Sequence, residues 1–316
     1  MTRKSILRIL GAVLAAALFG LALYVLRREL GGAQLGEVIS ELTALPASRL
    51  LLAGAMTVAG YLALGAGDLL ALRHLRQDLS LPKVLLTSFV GYAFANNLPF
   101  SFVVGGWVRY RLYSNWKGVK KDAAKIVIFN LRGYVLGLAT CAAVSFILEP
   151  SAIPGLLKLP LASTLSLGIL ALLIVAGYLG WAATGRRLRV RRWKLEPPPL
   201  PLALLQLVIS LGDWIFSGAA LFVLLPSTLH LGFFGFFGVF ILGQIAALIA
   251  QVPGGIGVFE AVTVAMLKAR IGVPALLGVL LAYRAIYFLI PLVLATLLLG
   301  ASEVIRLTRG HARKTT

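Results

Sequence analysis

The stretch Gln251-Val252-Pro253-Gly254-Gly255-Ile256-Gly257-Val258-Phe259-Glu260 sets a helix breaker and a carboxylate inside a run otherwise apolar enough to lie in a bilayer. Proline carries no N–H and adjacent glycines open the helical ladder, and in hydrocarbon the freed N–H and C=O groups are tolerated only against protein or a wet cavity. A chain built this way has to fold around a polar cavity at membrane depth. A second interruption, Asn96-Asn97-Leu98-Pro99, runs into Gly105-Gly106-Trp107-Val108-Arg109 in the first half of the chain. One break leads to an acid and the other to a base, and that opposition is the first pointer to function.

Composition excludes a soluble domain. With 59% hydrophobic and 13% charged residues and a mean hydropathy of +0.94, the chain would expose far too much apolar surface to water. The formal net charge of +19 does not point to nucleic acid, because the lysines and arginines come in short clusters between apolar runs, as cytoplasmic loops do. The single cysteine, Cys141, lies in an apolar run, and His74, His230 and His311 fall in flanking segments. Neither a disulfide framework nor a metal site is expected. No Ser/His/Asp arrangement or phosphate loop is present, so no catalytic residue and no cofactor are expected either.

Runs of spanning length fall near residues 6–26, 49–72, 126–148, 162–183, 203–225 and 277–300, with the two broken stretches besides. The first run follows Arg3, Lys4 and Arg8 and is too long for a signal segment, so it reads as an uncleaved helix. Counting the six runs as full crossings puts the basic segments at the N-terminus, 73–83, 185–196 and the C-terminal tail in the cytoplasm. The equally basic 109–125 joins them only if 84–108 enters and leaves on the cytoplasmic side, as a re-entrant hairpin. By the same count 233–270 is the opposite hairpin, starting and ending outside. The fold class that follows is an all-α polytopic membrane protein with six full spans and two re-entrant hairpins. It is one transmembrane domain over 1–316. Its halves, about 1–149 and 160–305, form an inverted repeat of helix, helix, hairpin, helix, which places a substrate site near the midplane at the broken segments. Residues 185–201 form a basic cytoplasmic linker, stiffened by Pro197, Pro198 and Pro199.

Three acids, Asp68, Asp213 and Glu260, and three arginines, Arg109, Arg132 and Arg284, fall in or beside the apolar runs. The equal numbers suit charges that are paired or face a wet cavity, since an isolated one at the bilayer centre costs roughly 3 kcal/mol on insertion scales. Asp68 and Arg132 lie within about two turns of basic segments, so snorkelling, anchoring or helix pairing serves as well as a binding role there. Asp213 is deeper and is expected to face a cavity. Glu260 directly follows the broken backbone, where a carboxylate complements a helix N-terminus. Arg284 lies in the next helix, where its guanidinium can grip a phosphate bidentately with its stem on Tyr283 or Tyr287, or else simply pair with Glu260. Gly254, Gly255 and Gly257 follow no strand and form no dinucleotide fingerprint; they permit tight reversal, with Pro253, Asn97, Pro99, Gly105 and Gly106 as the other backbone elements of the hairpins. Gly232, Gly235 and Gly238, interleaved with Phe233, Phe234, Phe236 and Phe237, read as small packing residues beside lipid-facing aromatics.

The Gln251–Glu260 string, the Asn97-x-Pro99, Gly105-Gly106 and Arg109 string, and Arg284 together resemble the lysylphosphatidylglycerol synthase transmembrane family, which includes the flippase half of the bacterial multiple peptide resistance factor. The resemblance covers essentially the whole chain. It implies movement of a lipid, classically an aminoacylated phosphatidylglycerol, between leaflets of the bacterial inner membrane. Asp68, Arg109, Glu260 and Arg284 are the functional charges it implies, with the arginines on a phosphate and the acids balancing them or meeting a cationic headgroup. Relatives that make the lipid carry further helices and a soluble aminoacyl-transfer domain, whereas here the sequence ends at Thr316, so synthase activity is not expected. Many relatives place an acid shortly before the arginine of the segment that holds Arg132, where this chain has Asn130. Membrane lipid is the expected partner, with a separately encoded synthase or a second copy of the chain as further partners. The alternative reading is an integral membrane enzyme or scaffold acting on a lipid phosphate or polyprenyl carrier.

Overall fold

A computed structural model describes residues 35–98, 101–113, 122–149, 161–186, 188–190, 193–195, 197–227 and 231–312. Helices dominate: α1 (Leu35–Thr43), α2 (Ala47–His74), α3 (Leu81–Asn97), α4 (Ser101–Tyr113), α5 (Ala123–Leu148), α6 (Leu161–Thr184), α7 (Leu200–Phe222), α8 (Phe233–Ala250), α9 (Val258–Leu267), α10 (Val273–Tyr283) and α11 (Ile290–Ala312). Long unbroken apolar runs give the long helices, and prolines at the first positions of α3, α7 and α10 set their starts where no N–H is needed.

Six stretches among the described residues are long and apolar enough to cross a membrane: Ala47–His74, Ala123–Leu148, Thr164–Thr184, Leu200–Phe222, Phe233–Ala250 and Val273–Ala301. Five coincide with runs expected from the sequence. The expected first helix, 6–26, lies outside the described residues. The sixth is α8, which the sequence assigns to the second hairpin but which is itself of spanning length. At about 1.5 Å per residue, α4 with 13 residues and α9 with 10 are too short to cross about 30 Å of hydrocarbon.

Both broken stretches double back. In the first, Gly105 of α4 lies against Ala95 and the carbonyl of Gly91 in α3, on the opposite side of the break at 98–100. In the second, Gly243 of α8 lies against Phe259 of α9, and Gly255 against Ala247. Each contact pairs positions roughly equidistant from a break, as in an antiparallel helical hairpin. α7 runs through the middle, flanked by α2 and α5. α6 is peripheral and leaves Leu170, Leu172, Leu173 and Ile174 exposed, a surface suited to lipid tails.

Two features depart from expectation. The basic linker is not only a stiff connector, for Leu188–Val190 and Trp193–Leu195 pair as a short antiparallel hairpin with Arg189 opposite Lys194, within an otherwise all-helical fold. The phenylalanine run of α8 is not mainly lipid-facing. Phe236 and Phe237 are buried with Phe240 in the core, where Phe237 and Phe240 stack at 5.7 Å, and Phe234 is the ring of that run that stands exposed. Gly218 of α7 makes room for Phe237, which turns that face of α8 inward.

Candidate functional site

The second hairpin is shaped by its backbone. Gln251 ends α8 in the left-handed conformation, and Gly254, Gly255 and Gly257 follow with φ of 57°, 64° and 82°. Side chains other than glycine rarely take such angles, so the Pro-Gly-Gly-x-Gly order is what lets the chain reverse within a few residues. Glu260 then falls in the first turn of α9, where one carboxylate oxygen accepts the N–H of Gly257 at 2.7 Å. That bond satisfies one of the donors a helix N-terminus leaves open. The other oxygen accepts from Arg284 Nε at 2.6 Å.

Arg284 opens a π-helical segment, Arg284–Leu289, between α10 and α11. Pro291 has no N–H to offer the carbonyl of Tyr287 one turn back, so the ladder shifts there. The freed carbonyls are used: Tyr287 O accepts from the Tyr61 hydroxyl at 3.5 Å, and Phe288 O accepts from the Asn97 amide at 3.2 Å. Arg284 Nη1 donates to the carbonyl of Gly254, while Nη2 has no partner among the described residues. Its guanidinium lies over the ring of Phe288 at 4.7 Å, with Phe259 at 6.0 Å, rather than on Tyr283 or Tyr287. Those two tyrosines stack on each other at 5.4 Å.

A second ion pair belongs to the first hairpin. Arg109 of α4 donates Nε to Asp68 Oδ2 at 3.0 Å and Nη2 to Asp68 Oδ1 at 3.1 Å, and its Nη1 reaches the carbonyl of Gly105 at 3.3 Å. Asn130 of α5 donates to Asp68 Oδ1 as well. Gly91 and Gly105 leave the space the guanidinium fills, since a Cβ on either would come within about 3.1 Å of Nη1. Tyr92 lies beneath it at 4.3 Å. Asp68 is fully buried and Arg109 nearly so, whereas the Glu260 and Arg284 side chains each keep 13% exposure.

The hairpin tips meet: Gly254 lies against Asn96 and Asn97. Two adjoining cavities of about 160 and 140 Å³ open beneath this contact. The first includes Arg284, Gly254, Gly255 and Gln244 in its wall, and the second Arg109, Asn130 and Gly105. Leu64, Tyr92, Asn96, Tyr134, Asp213 and Leu248 wall both. Asp213 therefore stands at their junction, and it has no ion-pair or hydrogen-bond partner among the described residues.

Of the residues singled out from sequence, Asp68 and Arg109 come together as one pair, Glu260 and Arg284 as another, and Asp213 lies between the two. Asn97 and Gly254 join the hairpins, Gly255 packs on Ala247, and Gly105 cradles Arg109, while Gly106 packs on Val127 of α5. Pro253 lies in the tip turn, and Pro99 is outside the described residues. Arg132 takes no part in either pair; its guanidinium lies near the ring of Phe129 at 5.8 Å. Asn130, Gly91, Asn96, Tyr92 and Tyr134 were not singled out as site residues. Asn130 entered the sequence reading only as a departure from the family resemblance, not as a partner for Asp68.

Comparison with known proteins identifies the family to which the chain belongs. The family described as the lysylphosphatidylglycerol synthase TM region matches residues 8–295. An uncharacterized protein of Synechocystis sp. is 34% identical over 98% of this chain and 97% of its own length. Inner membrane protein YbhN of Escherichia coli is 35% identical over 78% of this chain and 77% of its own. Phosphatidylglycerol lysyltransferase of Staphylococcus aureus is 26% identical over 94% of this chain, which corresponds to 34% of the enzyme.

Proposed function

Because the chain belongs to the lysylphosphatidylglycerol synthase transmembrane family, we propose that it is a lipid flippase, moving a phospholipid or related lipid between the leaflets of a bacterial inner membrane. One observation carries this reading: two hairpin tips close over a cavity at whose wall Arg284 keeps a guanidinium N–H uncommitted. A phosphodiester oxygen is the natural acceptor for that N–H, since a guanidinium matches phosphate geometry and stays charged at any relevant pH. Cavities of this size take a headgroup and leave acyl chains in the surrounding lipid. The phosphate contact falls to Arg284, while Asp68 and Arg109 hold the first hairpin in place. An aminoacylated phosphatidylglycerol is one candidate cargo, in keeping with the staphylococcal lysyltransferase whose membrane part this chain resembles.

The two hairpins are re-entrant in this proposal, and the halves form an inverted repeat with both termini in the cytoplasm. The short α4 and α9 and the basic 109–125 segment support that arrangement. Single cysteines at Trp116 and Gly272, in a Cys141→Ser background, are then expected to label from the cytoplasmic and outer sides respectively. Labelling of residue 116 from outside alone would overturn the topology.

The functional test is a leaflet assay with purified protein in liposomes carrying labelled phosphatidylglycerol. Movement by the protein unaided is expected. Movement that requires an added synthase would identify a scaffold, and a chemically altered lipid would identify an enzyme.

A further inference from the structure

Asp213 is a carboxylate inside a helix of spanning length that belongs to neither ion pair. It sits 14 residues into α7, in the middle of that helix, and lines both cavities, with no ion-pair or hydrogen-bond partner among the described residues. The arginines nearest in function are occupied elsewhere: Arg109 by Asp68 and Gly105, Arg284 by Glu260 and Gly254. The titratable groups within electrostatic reach come from every side. They are Tyr61 on α2, Tyr92 on α3, Tyr134 and Cys141 on α5, Tyr283 on α10 and Tyr287 on the π segment. None is a cation. Both ion pairs are neutral as units, so an ionised Asp213 would give the cavity a net negative charge that no cation in its wall among the described residues is free to offset. The same carboxylate would repel a phosphate approaching Arg284 through the shared cavity.

We propose that Asp213 is a proton-binding site, and that proton and lipid phosphate bind the cavity together. This rests on the flippase reading for the phosphate, though not for the proton. The proton arrives through cavity water, for which cavities of this size have room for several molecules at roughly 30 Å³ each. An O–H bond forms on a carboxylate oxygen of Asp213, and the water regains its electron pair as hydroxide or, from hydronium, as neutral water. Neutral Asp213 offers the incoming phosphate a donor in place of a like charge. Linkage then requires the reverse as well: bound phosphate raises the affinity of Asp213 for the proton. Downhill proton movement thereby drives lipid movement, with no nucleotide needed.

Two measurements decide it. Infrared difference spectra across a pH step, on protein in lipid discs without added cargo, are expected to contain a protonated-carboxyl stretch that disappears in Asp213→Asn and persists in Glu260→Gln. Asp213→Glu should shift that band rather than remove it, which keeps the test valid if the asparagine variant folds poorly. A band unchanged in Asp213→Asn, or one that responds to sodium and not to pH, overturns the proton site. The second measurement is calorimetric titration with short-chain phosphatidylglycerol in buffers of differing ionisation enthalpy. Wild type is expected to take up a proton with the lipid, and Asp213→Asn to bind it with none. Equal uptake in both overturns the coupling. Absence of binding in both proteins overturns the flippase reading while leaving the infrared result to decide the proton site on its own, and loss in Asp213→Asn alone overturns the claim that the proton rather than the side chain carries the coupling.

Discussion

The two buried ion pairs use the same chemistry to different ends. Asp68 and Arg109 are sealed from solvent, joined by two parallel hydrogen bonds, and completed by Asn130 and the carbonyl of Gly105. Every guanidinium nitrogen there is engaged. Glu260 and Arg284 share a single contact, keep 13% exposure at a cavity wall, and leave Nη2 uncommitted. A buried pair in which every guanidinium nitrogen already donates holds two elements together, whereas a partly exposed one with an uncommitted nitrogen at a cavity wall is already arranged to receive an anion. Sequence alone gives each broken stretch an arginine, Arg109 and Arg284, and does not tell the two roles apart.

The largest effect should come from breaking the sealed pair. Arg109→Leu leaves Asp68 buried and uncompensated, and losing one partner of a buried pair costs about 3–5 kcal/mol. Melting of the detergent-purified protein is expected to fall steeply, with little folded material recovered. Arg284→Leu should melt near wild type yet lose transport. Equal melting losses in the two variants would erase the distinction between the pairs.

Double neutralisation sharpens the contrast. Asp68→Asn with Arg109→Gln removes both charges together and is expected to recover much of the stability and transport that either single change loses. Glu260→Gln with Arg284→Gln should stay folded but inactive. Translocation near the wild-type rate in that second variant would make the Glu260–Arg284 pair structural and leave lipid contact to other residues.

A smaller change is expected for Arg284→Lys, which keeps the charge but loses the planar fork. A hydrogen bond to a charged group is worth about 1.5–3 kcal/mol, so lipid affinity should drop about tenfold to a hundredfold with the melting point nearly unchanged. Calorimetric titration with short-chain phosphatidylglycerol reads this directly, and unchanged affinity would remove the proposed phosphate contact.

The smallest expected effect lies where the hairpins meet. Asn97→Ala removes the bond to the Phe288 carbonyl, a contribution of about 0.5–1.5 kcal/mol. A melting loss of that order with transport largely kept is the expected result. A transport loss as complete as that of Arg284→Leu would show that the joined tips, rather than the guanidinium, control movement.

Much of this was legible in the chain itself. Long apolar runs require spanning helices because a bilayer leaves few other ways to satisfy the backbone, and Pro253-Gly254-Gly255 reads as a reversal because proline breaks the helical ladder and glycines take left-handed conformations without steric cost, as Gly254, Gly255 and Gly257 do. The five charges of the site were also visible, since a titratable residue inside an apolar run needs a partner or a cavity. Pairing of Arg284 with Glu260 was one of two readings the sequence left open, and the partner of Arg109 was not legible. Whether Arg109 meets Asp68 or a ligand depends on how α4 folds back on α3 beside α2, and on the space that Gly91 leaves. The phenylalanines of α8 show the same limit: a run hydrophobic all round has no face that announces the core, so Gly218 across the interface decided which rings turned inward. The π segment, the role of Asn130 and the isolation of Asp213 arise from contacts between residues far apart in the chain. Sequence therefore determined which polar groups enter the membrane-depth region and where the backbone breaks, and the tertiary structure alone decided which charges cancel and which one remains.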